Sequence, residues 1–305
     1  MPIQWFPGHM HKASKEIKKI LPKVDLIIEI LDARIPYSSD NPLLATLRGD
    51  KPCIKVLNKS DLADAEITQE WQTFLEKEKG VKTLALSTEQ VDKVHYLSQL
   101  CHKMLPGRED GIKTIHAMIM GIPNVGKSTL INILAGKTIA KTGNEPAITK
   151  GQQRIKLDNN IVLSDTPGVL WPKFDHQNIG YRLATTGAIK DTAIDHDDIA
   201  FFAAGYLMKH YPDKLKQRYE LDQIPDSELE LLESIGKKRG CLRAGGQVEL
   251  DKVCKLLLTE LRAGALGRIS LETPASMQQE IKEIAIIKQQ QADKKAARKQ
   301  KWKKS

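Results

Sequence analysis

Residues 121–128 read Gly-Ile-Pro-Asn-Val-Gly-Lys-Ser, which matches the phosphate-loop pattern of a glycine, four residues and Gly-Lys-Ser. An apolar run at 115–120 comes directly before this segment, and apolar residues at helical spacing follow it from Leu130 onward. Strand, glycine-rich loop and helix form the context in which this pattern binds a polyphosphate. We therefore predict a nucleotide-binding α/β domain built around this loop.

The residues of this loop have separate expected roles. Its glycines let backbone N–H groups turn toward the phosphates, and the following helix adds its positive N-terminal end. Lys127 would place its charge on the outer phosphates, and the Ser128 hydroxyl would bind Mg²⁺. The predicted nucleotide contacts of this segment are Asn124, Val125, Gly126, Lys127, Ser128 and Thr129.

A second motif, Asp165-Thr-Pro-Gly168, follows the last predicted strand. Asp165 would hold Mg²⁺ through a water molecule, and the Gly168 N–H would face the γ-phosphate. Thr149 lies in a glycine- and lysine-bearing loop and would complete the metal shell, as in GTPases whose loops switch with the nucleotide. We predict a Mg²⁺ site at Ser128, Thr149 and Asp165, and catalytic roles for Lys127 and Thr149.

A third motif, Asn58-Lys-Ser-Asp61, is the guanine-reading signature of GTPases. The Asp61 carboxylate can accept from both N1–H and the exocyclic amine of guanine, whereas adenine would leave it unpaired. Ser87 and Thr88 follow the next predicted strand, and ligands bind beyond the carboxyl ends of parallel strands. The predicted base-side contacts are Asn58, Lys59, Asp61, Ser87 and Thr88.

The order of these motifs is unusual. Buried-type strands at 24–31, 52–57, 81–86 and 115–120 alternate with helical segments, which indicates βαβ units and a parallel sheet. A hairpin at 153–164 adds two further strands. The base-reading motif precedes the phosphate loop, whereas ordinary GTPases have the reverse order, so we predict a circularly permuted GTPase domain with a mostly parallel six-stranded sheet.

The pattern changes to helices without strands after about Phe174. We therefore predict a GTPase domain at 1–174, which includes an N-terminal loop and helix at 1–21. A smaller all-helical, RNA-binding domain would cover 175–287, and a basic tail would cover 288–305.

This arrangement, which begins with Trp5-Phe-Pro-Gly-His-Met10, closely resembles the RbgA/YlqF family of bacterial ribosome-assembly GTPases. The resemblance covers residues 1–274, and its other segments are Asp32-Ala-Arg-Ile-Pro36, residues 121–129, residues 165–174, Gly187-Ala-Ile-Lys-Asp191 and Lys237-Lys-Arg-Gly-Cys-Leu242. It implies GTP hydrolysis coupled to maturation of the large ribosomal subunit, with contacts to its RNA. The expected partners are GTP, GDP and that subunit.

Two further site residues follow from the resemblance. Related GTPases with an asparagine at the position of Asn124 hold K⁺ near the phosphates, and the alternative is an asparagine that only caps the loop. Val169 and Leu170 stand where Ras-like enzymes have a water-orienting glutamine. The resemblance implies His9 as the catalytic substitute, whereas the alternative is local packing or a contact with RNA.

Two basic segments indicate a polyanionic partner. Residues 236–246 contain Lys237, Lys238, Arg239 and Arg243 together with glycines, and we predict a flexible RNA-binding loop between two helices. Residues 288–305 carry a charge of +7, from eight Lys or Arg and one Asp, out of +9 for the whole chain. Solvated charges without a partner are the alternative for both segments.

Composition narrows the class of protein. Four cysteines without paired spacing favour reduced thiols, and no apolar run reaches the 18 residues of a membrane span. We expect a cytoplasmic monomer without a membrane partner. The competing functions are a nucleotide-gated module for another structured RNA, an ATP-using enzyme, against which the motif at 58–61 argues, and a membrane GTPase whose basic tail would bind acidic lipid.

Overall fold

The computed structural model describes residues 6–107, 113–140, 153–157 and 160–304. Within these ranges six strands form one sheet in the order β3-β2-β1-β4-β6-β5, in which only the β5–β6 pair is antiparallel. The strands are β1 (Leu26–Asp32), β2 (Cys53–Asn58), β3 (Val81–Ala85), β4 (Ile115–Gly121), β5 (Gln153–Lys156) and β6 (Ile161–Asp165). The predicted mostly parallel, six-stranded α/β sheet is confirmed.

Helices cover the sheet and form the second half of the chain. In the first half they are α1 (Gly8–Ile20), α2 (Pro36–Ser39), α3 (Pro42–Arg48), α4 (Ala65–Leu75), α5 (Val91–Lys103) and α6 (Lys127–Leu134). In the second half they are α7 (Gln177–Thr185), α8 (His196–His210), α9 (Pro212–Tyr219), α10 (Glu228–Arg239), α11 (Leu250–Arg262) and α12 (Pro274–Lys304). None of the helices in the described ranges is long and apolar enough to cross a membrane.

The strand order explains how a permuted chain builds a nucleotide site. Strands β1, β2 and β4 are almost continuously buried and apolar, as expected of central parallel strands. The chain runs outward from β1 to the edge strand β3, and β4 then pairs with the other side of β1. The strand order therefore reverses between β1 and β4, and ligands bind at such a switch point in open α/β sheets.

The chain returns to the sheet domain after the helical half. The Ile269 N–H donates to the Leu62 carbonyl at 2.9 Å, and the Leu271 N–H donates to the Arg34 carbonyl at 2.8 Å. Trp71 Nε1 donates to the Glu272 carbonyl at 3.2 Å. Residues 269–272 therefore hold the C-terminal end of the helical half against the segments that follow β1 and β2.

Two segments singled out in the sequence overlap helices. The division at 287 and 288 lies inside α12, which has neither glycine nor proline after its first residue to end it. The basic segment expected to be a flexible loop from Gly236 is helical up to Arg239, and Gly240 ends the helix at φ 68°. A Cβ at Gly236 would come within 2.4 Å of the Val248 side chain, so glycine at this helical position allows the two segments to pack closely.

Candidate functional site: a nucleotide pocket

The phosphate loop joins β4 to α6 with a backbone that needs its glycines. Gly126 has φ 88°, and a Cβ at this position would lie 2.3 Å from the Asn58 Nδ2. A Cβ at Gly121 would lie 2.6 Å from the Ile30 carbonyl oxygen. Both glycines are thus required by close contacts with the neighbouring β1 and β2, in addition to their expected role toward phosphate.

The base-reading loop is fastened directly to the phosphate loop. Asn58 Nδ2 donates to the Val125 carbonyl at 2.6 Å, and Lys59 Nζ donates to the Asn124 carbonyl at 2.7 Å. Lys59 and Asn124 both adopt left-handed backbone angles, with φ of 59° and 60°. Two motifs that are more than 60 positions apart in the sequence therefore form one rigid unit.

Asp32, at the carboxyl end of β1, contacts this unit through an ion pair with Lys59. Its carboxylate accepts from Arg34 Nε at 2.9 Å and Nη2 at 2.7 Å, and Lys59 Nζ lies 3.3 Å from it. Burial alone would raise the pKa of Asp32, but the charges of Arg34 and Lys59 outweigh burial and hold it well below its usual range. Burial also lowers the pKa of Lys59. Asp32 is therefore ionised and orients the Lys59 side chain.

Lys127 and Asp165 meet below the phosphate loop. Lys127 Nζ lies 2.5 Å from Asp165 Oδ1, and both side chains are buried. The second oxygen, Asp165 Oδ2, is also buried, and no described group donates to it. A buried carboxylate oxygen of this kind suits a hard cation with oxygen ligands, so the residues present fit Mg²⁺.

The segment after Asp165 is held at successive residues. Thr166 Oγ1 donates to the Ile119 carbonyl at 2.9 Å, and the Val169 N–H donates to the Gly121 carbonyl at 3.2 Å. A Cβ at Gly168 would lie 2.9 Å from the Pro123 nitrogen, so this peptide packs directly on the phosphate loop. Gly168 is therefore adjacent to the loop that would carry the phosphates.

A cavity of about 820 Å³ lies beside these loops. Its lining includes six predicted contacts, namely Asn58, Lys59, Thr88, Asn124, Gly126 and Thr129. The opposite wall comes from the helical half of the chain and includes Gly187, Ile189, Asp191 and Arg262. The pocket is therefore shared between the two halves.

One hydrogen bond joins the phosphate loop to that opposite wall. Asn124 Nδ2 donates to the Gly187 carbonyl at 2.8 Å. Gly187 has φ 82°, and Arg262 fixes its surroundings by donating to the carbonyls of Ala184 and Thr185 at 2.8 and 2.9 Å. Arg262 also pairs with the Asp191 carboxylate at 3.1 Å. The Asn124 amide thus has a structural partner in the helical half.

The remaining predicted site residues are distributed around this unit. Asp61 is exposed at the end of the base-reading loop, and the Ser60 N–H donates to the Leu86 carbonyl at 3.1 Å, which joins the loops after β2 and β3. Ser87 is buried and its Oγ accepts from the Glu89 N–H at 3.2 Å. Thr149 and the His9 side chain lie outside the described part of the structure, although the His9 backbone belongs to α1.

The predicted RNA-binding residues differ in their contacts within the protein. Lys237, Lys238 and Arg243 are exposed. Arg239 pairs with Glu260 at 2.9 Å and lies over the Tyr219 ring, 5.6 Å from its centroid. The Arg239 charge is therefore paired with a carboxylate of the helical half.

Sequence reasoning missed Asp32, Arg34, Asn41, Gly187 and Arg262 as parts of the pocket and its supports. Asp32 and Arg34 had a signal, because they follow the end of a buried strand, as the assigned motifs do. Asn41 and Arg262 had none, because Val169 is 128 positions from Asn41 and the partners of Arg262 are 71 to 78 positions away.

These features define a P-loop GTPase with a circularly permuted motif order and a helical domain that closes its nucleotide pocket. Residues 116–224 match the family model described as 50S ribosome-binding GTPase. The chain is 45% identical over 296 residues to ribosome biogenesis GTPase A of Bacillus cereus, an alignment that covers 95% of this chain and 100% of that one. The chain belongs to this family of ribosome biogenesis GTPases.

Solved structures agree with this assignment. The GDP-bound structure of TM YlqF superposes with a TM-score of 0.63 at 26% identity and covers 85% of this chain and 99% of its own. GNP-bound YlqF from T. maritima gives a TM-score of 0.62 at 28% identity, with 87% and 99% covered. The similarity therefore extends over both the sheet domain and the helical half.

Proposed function

We propose that this protein hydrolyses GTP and couples GTP binding and hydrolysis to late assembly of the large ribosomal subunit. The observation that carries the proposal is the shared pocket, in which the phosphate-loop residue Asn124 bonds to Gly187 of the helical half. A nucleotide in such a pocket contacts both halves, so its state can change the surface offered to a ribosomal partner. The relatives' printed names supply the ribosome as that partner.

The chemistry follows from the buried pair below the phosphate loop. Lys127 would move its charge from Asp165 to the outer phosphates, where negative charge develops in the transition state. Ser128, Thr149 and Asp165 would hold Mg²⁺, which neutralises phosphate charge when bound. Gly168 would direct its N–H to the γ-phosphate, and Asp61 would read the guanine edge.

The two residues that follow Gly168, Val169 and Leu170, do not orient the attacking water. The side chains of Val169 and Leu170 are fully buried and apolar, so neither can hold a water molecule. The resemblance assigns this role to His9, whose backbone lies in the first turn of α1. We also propose K⁺ at Asn124, as the resemblance implies; the ion would bind the amide oxygen, because the amide nitrogen donates to the Gly187 carbonyl.

The proposed RNA contacts are Lys237, Lys238, Arg239 and Arg243, together with the basic end of α12. Arg239 would have to exchange Glu260 for phosphate, so we expect Lys237, Lys238 and Arg243 to contribute more. Work on ribosomes would place the protein in the cytoplasm, where we expect it to act as a monomer.

Cosedimentation with purified subunits tests the proposal. We expect binding to large but not small subunits, stronger with a non-hydrolysable GTP analogue than with GDP, and faster GTP hydrolysis when large subunits are added. The Lys127→Ala variant serves as the catalytic control. Binding that is equal for both subunits and both nucleotides would contradict the proposal and favour a module for another structured RNA, whereas equal competition by ATP would contradict the GTPase assignment.

A further inference from the structure

Helix α1 has two chemically distinct faces. Its inner face is formed by Met10, Ala13 and Ile17, whose side chains are at most 2% exposed. Its outer face carries exposed basic residues, which continue into the turn that follows the helix: His11, Lys12, Lys15, Lys18, Lys19 and Lys23. We call this outer set the α1 basic face. The nucleotide site does not use it.

The charges of the α1 basic face are not neutralised within the described part of the chain. Five lysines stand beside one acidic residue, Glu16, and none of the ion pairs between described residues involves any of them. Exposed lysines elsewhere do pair along their helices, as Lys255 does with Asp251 at 2.8 Å. Like charges at helical spacing destabilise a helix, so an external anion bound to the α1 basic face would stabilise it.

We propose that the α1 basic face binds the phosphate backbone of structured RNA, a second RNA surface beside that of the helical half. Lys12, Lys15 and Lys19 lie on one side of the helix and span about 10 Å at 1.5 Å per residue. Lysine ammonium groups act as point charges toward phosphate and carry no base specificity. This proposal depends on the proposed ribosomal function only for the identity of the RNA that is bound.

Other occupants fit this face less well. A membrane-surface helix inserts its apolar face into the lipid, whereas Met10, Ala13 and Ile17 are already buried in the protein core. Protein interfaces are enriched in aromatic residues and arginine and depleted in lysine, and the α1 basic face has neither aromatic residues nor arginine. A polyanion with regularly spaced charges, such as RNA, remains the best match.

The inner face connects the surface to the nucleotide site. The Leu170 N–H lies 3.4 Å from Met10 Sδ, so α1 packs against the segment that follows Gly168. RNA bound to the outer face would hold α1 in place against this segment. We therefore expect RNA affinity at this surface to respond to the nucleotide.

The test removes charge without changing the fold. The variant Lys12→Gln/Lys15→Gln/Lys19→Gln is compared with a control, Lys79→Gln/Lys93→Gln/Lys113→Gln, which removes the same charge from exposed lysines on other elements. Binding to a hairpin RNA is measured across salt concentrations. We expect the α1 variant to lower the slope of log affinity against log salt by about two to three, as three lost phosphate contacts predict, and the control to change it by less than about one.

Melting temperature and GDP affinity are measured on all three proteins, and matched values show that each is folded. Equal salt slopes for the α1 variant and the control, or no binding of the hairpin by the parent, would overturn the proposal. Loss of binding to anionic vesicles or to polyglutamate, with hairpin binding unchanged, would also overturn it and assign the surface to lipid or protein. If the α1 variant loses hairpin binding while the parent fails to bind large subunits, this surface stands and the ribosomal function falls.

Discussion

Asn41 Nδ2 donates to the Val169 carbonyl oxygen at 2.7 Å, although 128 positions separate the two residues. Asn41 is fully buried, and its Oδ1 accepts from the Leu43 N–H at 2.9 Å as the N-cap of α3. One amide therefore begins a helix with its oxygen and holds the segment after Gly168 with its nitrogen. This geometry makes Asn41 a positioning residue for the Gly168 peptide.

Asn41→Asp should slow hydrolysis more than it weakens GDP binding. The carboxylate keeps the capping oxygen for Leu43 but sets a second oxygen against the Val169 carbonyl. We expect kcat to fall by about 10-fold or more, from a buried polar mismatch of about 1–3 kcal/mol, with GDP affinity within about threefold of the parent. Single-turnover hydrolysis and fluorescent GDP titration measure the two effects.

A matched control separates positioning from helix capping. Asp195→Ala removes the N-cap of α8, whose side chain bonds, among the described residues, only within its own helix start, and should lower the melting temperature without changing kcat. If Asn41→Asp also changes only the melting temperature, the contact with Val169 has no role in positioning Gly168.

Gly126→Ala should disrupt the pocket even though it adds a single methyl group. The new Cβ would lie 2.3 Å from Asn58 Nδ2 at a backbone φ of 88°, so the bond from Asn58 to Val125 must break. We expect GDP affinity to fall by at least about 100-fold, measured by calorimetry. Gly136→Ala is the control, since Gly136 also has positive φ but meets no atom within 4 Å. Comparable losses in both variants would attribute the effect to backbone strain alone.

Asp61→Asn should move base preference from guanine toward xanthine. Xanthine has an oxygen in place of the exocyclic amine of guanine, and the new amide can donate to that oxygen. We expect weaker binding of GDP and stronger binding of xanthosine diphosphate, measured by competition with a fluorescent nucleotide. A variant that binds GDP as tightly as the parent would show that Asp61 does not read the base.

Glu29 should make stability fall as pH rises toward 8. Burial, together with the nearby Asp40 charge, raises the pKa of Glu29 to about 8 against the partly offsetting charge of Lys55. The folded protein then keeps a proton that the unfolded chain loses near its ordinary pKa of 4.5. The stabilisation is complete below the unfolded pKa and is lost as pH rises through the folded pKa.

Glu29→Gln should remove this contribution. Denaturant unfolding between pH 5 and pH 9 should show a smaller decline in the free energy of unfolding for the variant than for the parent. Glu70→Gln, at an exposed position of α4, is the comparison. Parallel pH profiles for the parent and Glu29→Gln would refute the assignment.

Arg262→Lys should loosen the wall of the pocket that the helical half supplies. Lysine keeps the charge but lacks the planar donors that reach Ala184, Thr185 and Asp191 together. We expect nucleotide affinity to drop by about 3- to 10-fold, since the Gly187 carbonyl loses its fixed position opposite Asn124. Arg268→Lys, at an exposed position nearby, should have no effect. Equal affinities for both variants would mean that the helical half does not shape the pocket.

The local sequence was sufficient for the parts of the site that lie within a few residues of each other. The phosphate loop, the Asp165–Gly168 motif and the base-reading motif each need only a strand end, a turn and side chains at fixed spacing. The order of the motifs along the chain also predicted the permutation. A permuted chain can still build the site, because the strands of a parallel sheet can be joined in a different order without changing the arrangement of their carboxyl ends. Continuous apolar runs predicted the strands of the sheet, because a central parallel strand is buried on both faces.

Only the tertiary structure showed which distant residues complete the site and which contacts join it to the helical half. Asn41 meets Val169, Asn124 meets Gly187, and residues 269–272 return to the base-reading loop, and none of these pairings follows from spacing or composition. The physical reason is that a buried amide or carbonyl must find a hydrogen-bond partner wherever packing brings one. Side-chain type states what a residue can donate or accept, whereas only the packed fold determines which partner it meets.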